Sequence, residues 1–415
     1  MRVLLVNLGY PPNVVGGAEL LVQSLAREIA ARGVRTSVVS LSQNGKDWQY
    51  DDNGVRAYFV RAHPMGIILL KPERSPAQRF LWHALGEANI WISRKLAPIL
   101  AREQPDIVNT HSLLGLSVNV WKTARAFDLP VAHTLHDYQL LCPRGTMFRH
   151  GEPCPRQCGS CRLLTARRRA ASAIPAAVLG ISQFILGAHS AQGYFPNTMK
   201  AVIPNGFRPP AKAQPRATVA EGAPLRIGFI GRLHPIKGVE LFLDALRRLP
   251  PGRYAAKIAG AGSPDYQAAL RARAEGLDVS FLGWMPREEF YRQIDLLVVP
   301  SLYHEPQGMV LIEAASFGIP VIYARRGGLS ETGAEFPRFR GFDPARPESL
   351  AEALWPAIAK PETARAFRAA AEPIAHPFTL EGLADNYLDA YERVLSAKRT
   401  QGWVAGLSSR ASGEW

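Results

Sequence analysis

No apolar run in this chain approaches the ~20 residues that a membrane-spanning helix needs. The N-terminus, MRVLLVNLGYPP, has too short an apolar core for a secretory signal and reads as a buried first strand, so a cytoplasmic protein is expected. Cysteine is scarce: there are four in 415 residues, all between positions 142 and 161, so no disulfide framework spans the fold. Acidic residues are in deficit, 35 against 49 Lys and Arg, which leaves a formal net charge of +14. Such an excess must attract an anion: a nucleotide, an anionic membrane leaflet or nucleic acid. A basic stripe with interleaved aromatics is missing, as is any known reader motif, and nucleic acid is set aside on that ground. Also missing are G-x-G-x-x-G with an acidic residue about twenty positions later and G-x-x-x-x-G-K-[ST], which argues against dinucleotide oxidoreductases and P-loop enzymes.

What is present is an alternation. VLLVN, a turn-rich LGYPPNVVGG, then Leu20, Leu21, Leu25 and Ile29 at helical spacing up to Gly33, and TSVVSL give strand, loop, helix, strand. Short buried strands alternating with helices imply parallel βαβ units. The rhythm resumes at DIVNTH (106–111) and PVAHTLH (130–136), so residues 1–203 read as one Rossmann-like domain. The Pro- and Ala-rich stretch 204–224 reads as a linker. A second, more regular series starts at LRIGFIG and continues through AAKIAGAG, VSFLGW, DLLVVPS and PVIYA, giving a second domain over 225–378. Helical periodicity returns over 379–398, a helix expected to pack back on the first domain, and 399–415 reads as an aperiodic tail. Two such halves place a cleft at the carboxyl ends of their strands, where ligands bind.

Three loops of the second half each follow a predicted strand and together suit a nucleoside diphosphate. In GRLHPIKG, glycines such as Gly231 let the backbone bend close to a ligand, while Arg232 and Lys237 bring cations to the sheet end. In HEPQGMVLIE, Gly308 opens a helix whose first N–H groups, at Met309 and Val310, favour phosphate. Glu313 on that helix suits ribose hydroxyls, and Glu305 on the loop suits hydroxyls of a sugar. In RRGGLSE, Gly328 allows close approach and Glu331 can close a hydrogen-bond network. Surface cations and a capping Glu are common singly; three such loops in order on one sheet carry the argument.

These residues resemble the family-four glycosyltransferases. GRLHPIKG, the E-x7-E pair Glu305/Glu313 and GGLSE are similar to that family's donor loops. GGAE (16–19), VAHTLHD (131–137), IPNGF (203–207), GAG (260–262) and FLGWMP (281–286) stand in family order. The resemblance implies an α/β, GT-B fold: two Rossmann-like domains with parallel sheets facing a central cleft. It implies a retaining hexosyltransferase that takes a sugar from a UDP- or GDP-type donor to a saccharide or lipid-linked saccharide acceptor, in cell-surface glycan synthesis. By resemblance Gly16 and Gly17 bring amides to the donor phosphates, and Arg232 and Lys237 stabilise the leaving diphosphate. Glu305 contacts the donor sugar, Glu313 holds the ribose, Gly262 is one of the donor-binding glycines, and Gly283 and Trp284 flank the base. His136 contacts the transferred sugar, with Asp137 beside it on the acceptor side. EPQG stands where the family often has E-G-F-G, so Pro306 and Gln307 alter the backbone expected against the sugar. Without a D-x-D motif near a strand end, no catalytic divalent metal is expected. The rival reading is a non-catalytic nucleotide-sugar-binding protein on the same fold.

The cysteines, Cys142, Cys154, Cys158 and Cys161, suggest a structural metal held by four thiolates. Zinc is favoured, an iron–sulfur cluster stays open, and free thiols or two disulfides are the alternatives. His133 and His150 lie near enough in sequence to join as ligands. The basic run RLLTARRR (162–169) is either a solvated helix face or a patch for an anionic membrane, which would make the protein peripheral at the inner leaflet. HPMGIILLKPERSP (63–76) is either buried core or an amphipathic membrane loop.

Overall fold

The computed structural model describes residues 1–14, 16–61, 89–208, 222–369 and 378–411. The stretch 63–76 and most of the linker lie outside the described residues. The chain forms two compact units: Met1–Thr146 with Arg156–Gly206 and Leu380–Trp415, and Met147–Pro155 with Phe207–Thr379.

The first unit is built on β1 (Arg2–Val6), β2 (Arg35–Leu41), β3 (Trp48–Asp52), β4 (Val55–Val60), β5 (Ile107–Thr110) and β6 (Val131–Leu135). A small antiparallel hairpin, β7 (Phe148–Arg149) with β8 (Glu152–Pro153), belongs to the second unit. Then β9 (Ala177–Gly180) and β10 (Met199–Val202) complete an eight-stranded sheet of order β10-β9-β6-β5-β1-β2-β4-β3. Every pairing is parallel except β3 with β4. Helices α1 (Gly17–Ala31), α2 (Trp91–Glu103), α3 (Asn119–Ala126), α4 (Gly159–Leu164), α5 (Ala166–Ala171) and α6 (Gln183–Ser190) supply the crossovers and surface turns. The β3–β4 hairpin breaks the expected alternation of strand and helix. Its turn residues, Asn53 at φ 54° and Gly54 at φ 84°, are both left-handed, as an Asn-Gly hairpin turn requires.

The second unit carries β11 (Leu225–Ile230), β12 (Tyr254–Ala259), β13 (Val279–Gly283), β14 (Leu296–Val299), β15 (Val321–Ala324) and β16 (Arg340–Phe342), all parallel, in order β13-β12-β11-β14-β15-β16. Its helices are α7 (Val239–Arg247), α8 (Pro264–Arg273), α9 (Arg287–Arg292), α10 (Met309–Ser316), α11 (Gly328–Ala334), α12 (Ser349–Ala359) and α13 (Pro361–Ala369). Both faces of this sheet are buried. Leu296, Val298, Ile322 and Ala324 enter one core, while Leu297, Val299, Val321 and Tyr323 enter the other. That is why LLVV and VIYA are continuous apolar runs rather than alternating ones.

The last helix, α14 (Leu380–Ala411), runs past the 398 at which its periodicity was expected to end. No proline interrupts residues 399–411, so nothing in the backbone forces an earlier stop. Its residues Leu383, Tyr387, Ala390, Tyr391 and Val394, one helical face, join the core of the first unit with Val3, Leu25 and Ile107. Asn109 on β5 donates to the Tyr391 hydroxyl at 2.7 Å, so even the polar atoms of that face are paired. No helix among the described residues is long and apolar enough to cross a membrane.

Candidate functional site

In each sheet the strand order reverses beside one strand, and the loops leaving the strands there splay apart to make room for a ligand. In the second unit the reversal lies at β11, flanked by β12 and β14. The loop after β11 carries Arg232 and Lys237; the loop after β14 carries Ser301, Tyr303 and Glu305. Lys237 Nζ donates to Glu305 Oε1 at 2.5 Å and lies 5.1 Å from the centre of the Tyr303 ring. Ser301 Oγ donates to the same oxygen at 2.7 Å, and the Tyr303 hydroxyl donates to Oε2 at 2.8 Å. Burial works against the charged form of Glu305, but Lys237 and the two hydroxyls outweigh it and hold its pKa below the usual carboxylate value. Arg232 is exposed and no described residue pairs with it.

Two glycines make this close approach possible. Gly238 sits at φ 70°, and a Cβ there would lie 2.0 Å from the carbonyl oxygen of Pro300. A Cβ on Gly328 would lie 2.2 Å from the carbonyl oxygen of Pro306, while Gly328 N donates to Glu305 O at 2.7 Å. The loops after β11, β14 and β15 are thereby locked backbone to backbone. The third of them is shorter than the sequence suggests: Gly328 already opens α11, with Glu331 in its first turn.

Gly308 caps α10 without a side-chain hydrogen bond, so the first N–H groups of the helix, at Met309 and Val310, lack intrahelical partners. One turn on, Glu313 accepts from Arg287 Nη1 at 2.6 Å. Burial raises the Glu313 pKa against the pull of Arg287. The Arg287 guanidinium also lies 5.3 Å from the Phe207 ring centre. Gly262 is bridged to Leu233, and Trp284, just after β13, is 78% exposed.

In the first unit the reversal lies at β1, between β5 and β2. After β1 the chain reaches Gly16, whose N–H donates to Glu19 at 2.7 Å, and Gly17, the first residue of α1, with open space where a Cβ would stand. After β6 come His136 and Asp137. With His111, His133, Thr134, Gln139 and neighbouring leucines they line a pocket. His111 Nδ1 lies 2.8 Å from His136 Nε2. Burial lowers the His136 pKa to about 4 and pushes His111 well below its usual value, so both rings are neutral at pH 7. Burial also raises Asp137 to about 6, although its Oδ1 accepts from Gln139 N at 2.7 Å.

His111, Ser301, Tyr303 and Arg287 escape the sequence reading. His111 ends a strand as His136 does, and the order of strands in the sheet would have flagged it. The four-thiolate metal centre is not assembled. None of the four cysteines is in a disulfide, and no group of three or more His, Cys, Asp or Glu among the described residues is placed to hold a metal ion. The Cys161 thiol, pushed up to about 12 by burial, neighbours Cys158 and Cys142. Cys154, by contrast, closes the β7–β8 hairpin by donating its N–H to Met147 O at 2.7 Å. The basic run is also divided, since Arg168 is buried and donates to Gln139 O, whereas Arg162, Arg167 and Arg169 are exposed.

Residues 15–209 match the model of Glycosyltransferase Family 4, and residues 211–373 match that of Glycosyl transferases group 1. An uncharacterised 42.6 kDa protein of the cps region of Klebsiella pneumoniae is 30% identical over 338 residues, 81% of this chain and 88% of its own. Sucrose-phosphate synthase of Thermosynechococcus elongatus superposes with a TM-score of 0.72 at 20% identity, over 95% of this chain and 99% of its own. Anabaena HepE, solved in complex with UDP-glucose, gives 0.66 at 20% identity, over 95% and 100%. The fold is GT-B, and this chain belongs to the family-four, group 1 glycosyltransferases.

Proposed function

We propose that the protein moves a hexose from a UDP-type nucleotide sugar to a saccharide or lipid-linked saccharide, with retention at the anomeric carbon. The observation that carries this is the Lys237–Glu305 pair at the strand reversal of the second unit, flanked by the unpaired Arg232 and the open N-terminus of α10. Three kinds of positive electrostatics converge where a diphosphate would lie. None of them must reorganise when charge develops on it.

In the reaction the acceptor hydroxyl oxygen bonds to the anomeric carbon as the bond from that carbon to the diphosphate oxygen breaks. The hydroxyl proton passes to the diphosphate, which departs with its nucleoside. Arg232, Lys237 and the N–H groups of Met309 and Val310 stabilise the departing charge. Glu305, its two oxygens occupied by Lys237, Ser301 and Tyr303, acts mainly by holding the Lys237 ammonium in place. Glu313 receives the ribose hydroxyls beside Arg287, and Trp284 with Gly262 lies toward the base. Gly16 and Gly17 present the start of α1 to phosphate. His136 meets the transferred sugar as a neutral ring, with Asp137 toward the acceptor. Exposed Arg162, Arg167 and Arg169, next to Leu163 at 79% exposure, support attachment at an anionic membrane surface. The cps-region relative supports a role in polysaccharide synthesis.

A thermal-shift series with UDP-, GDP-, ADP- and TDP-sugars, followed by donor consumption, tests the reading. A UDP-hexose should raise the melting temperature and be turned over. A shift without turnover would favour a non-catalytic sugar-nucleotide binder, and the absence of any shift would remove the donor site.

A further inference from the structure

We infer that His111 is a positioning residue that holds His136 in its Nδ1-protonated tautomer, so that His136 offers the pocket a fixed N–H donor. The functional half of this inference rests on the glycosyl-transfer reading; the tautomer itself does not.

His111 follows β5, its N–H donates to Val6 O at 2.8 Å, and its side chain is 3% exposed. The ring is fixed between two others: His136 at 5.1 Å between centres and Tyr387 at 6.1 Å, both stacked. Tyr387 is anchored in turn, its hydroxyl donating to Thr134 Oγ1 at 3.1 Å. A nitrogen–nitrogen distance of 2.8 Å requires one proton between the rings, because two lone pairs repel and two protons clash. Both rings are neutral, so one proton is shared in one of two ways.

His111 Nε2 decides between them, since it is buried and has no hydrogen-bond partner. If His136 donated, the proton of His111 would sit on Nε2 as a buried N–H with nothing to receive it. If His111 donates from Nδ1, its Nε2 is a bare lone pair, a lesser loss than a stranded donor. The second arrangement is therefore favoured. It makes His136 Nε2 an acceptor and places the His136 proton on Nδ1, to which no described residue bonds. The free Nδ1–H suits a sugar hydroxyl oxygen, and the ring has no basic nitrogen left for proton abstraction. His136 thus binds as a donor and does not serve as a general base.

The test is nitrogen-15 NMR of the histidine-labelled full-length protein at pH 7, with the His136 signals assigned by their loss in His136→Asn. In the unsubstituted protein His136 should be protonated on Nδ1 alone. His111→Gln, whose side-chain amide can still donate to Nε2, should keep that tautomer. His111→Phe should release His136 to a mixture of tautomers and lower kcat for UDP-glucose consumption about tenfold, with KM for the nucleotide sugar nearly unchanged. Nε2 protonation of His136 in the unsubstituted protein overturns the inference, as does an unchanged tautomer in a folded His111→Phe. If no sugar nucleotide is consumed, the transfer reading fails alone, because the tautomer is read without turnover.

Discussion

In the first unit four imidazoles are kept neutral, His111, His133 and His189 buried and His136 half-buried, with burial lowering His133 to about 3 and His189 to about 4. Two buried carboxylates of the second unit keep their charge by pairing with cations, Glu305 with Lys237 and Asp295 with Arg226 at 2.5 Å, as Asp52 and Glu103 do with arginines away from the histidines of the first. Under the proposed reaction, neutral rings on one side and paired charges on the other match the ligand each half would meet. A sugar ring is neutral and rich in hydroxyls, and neutral donors and acceptors bind it without stranding a charge away from water. A diphosphate is an anion, and it rewards fixed cations with the largest electrostatic return in a dry site.

The strongest challenge to this contrast removes the cations. Arg232→Ala should lower turnover at least ~100-fold with an unchanged melting temperature, since no described residue depends on Arg232. Lys237→Ala should lose as much activity and also destabilise the second unit by about 3 kcal/mol, because Glu305 would be left charged and buried. Adding Glu305→Gln should restore stability but not activity. A Lys237→Ala variant as stable as the parent would mean that the pair is not buried as described.

Acid should act on the other half. A histidine of about pKa 6.5 unfolded and 4 folded takes up its proton only on unfolding between those values, so stability present above pH 6.5 is lost as pH falls, by up to about 1.4 kcal/mol per pH unit for each ring. Asp137, raised to about 6, works in the opposite sense: the folded state holds its proton between pH 6 and 3.8, which stabilises the fold there. With four rings against one carboxyl, the first unit should weaken by a few kcal/mol between pH 6.5 and 5. Hydrogen exchange by mass spectrometry should show its sheet losing protection before the second unit's; the reverse order would contradict the contrast.

Smaller effects sharpen it. Gly238→Ala should cost about 2 kcal/mol in the second unit, from its positive φ and the clash with Pro300. Arg273→Ala, which breaks an exposed pair with Asp244, should change stability by less than about 0.5 kcal/mol.

Much of the second unit was legible because each of its signals is local. DLLVVPS is a strand buried on both faces, and the residue after such a strand is at a sheet end whatever its neighbours are. The three loops after β11, β14 and β15 could be named as sheet-end loops in this way. What was not legible depends on adjacency. His111 matters because β5 lies beside β6, and a linear reading cannot see that pairing. Arg287 matters because it meets Glu313 from twenty-six residues away, and its own surroundings in sequence look like an ordinary helix start. That the Glu305 oxygens are already occupied was not readable either, because Lys237 and Tyr303 reach them from separate positions in the sequence. The Asn53-Gly54 turn was a local signal that went unused.

The core of the first unit contains Leu383, Tyr387 and Tyr391, from the final helix, beside Val3 from the first strand and Leu25 from the first helix. On a ribosome, therefore, the half that begins first is the half that finishes last. The second unit, drawn almost wholly from Phe207–Thr379, has all but a short hairpin of its chain in one stretch and can close while α14 is still being made. Until then the first unit keeps an apolar sheet face uncovered, and a chain cut short before Leu380 would leave it so permanently, a substrate for chaperones and proteases however complete its site residues are.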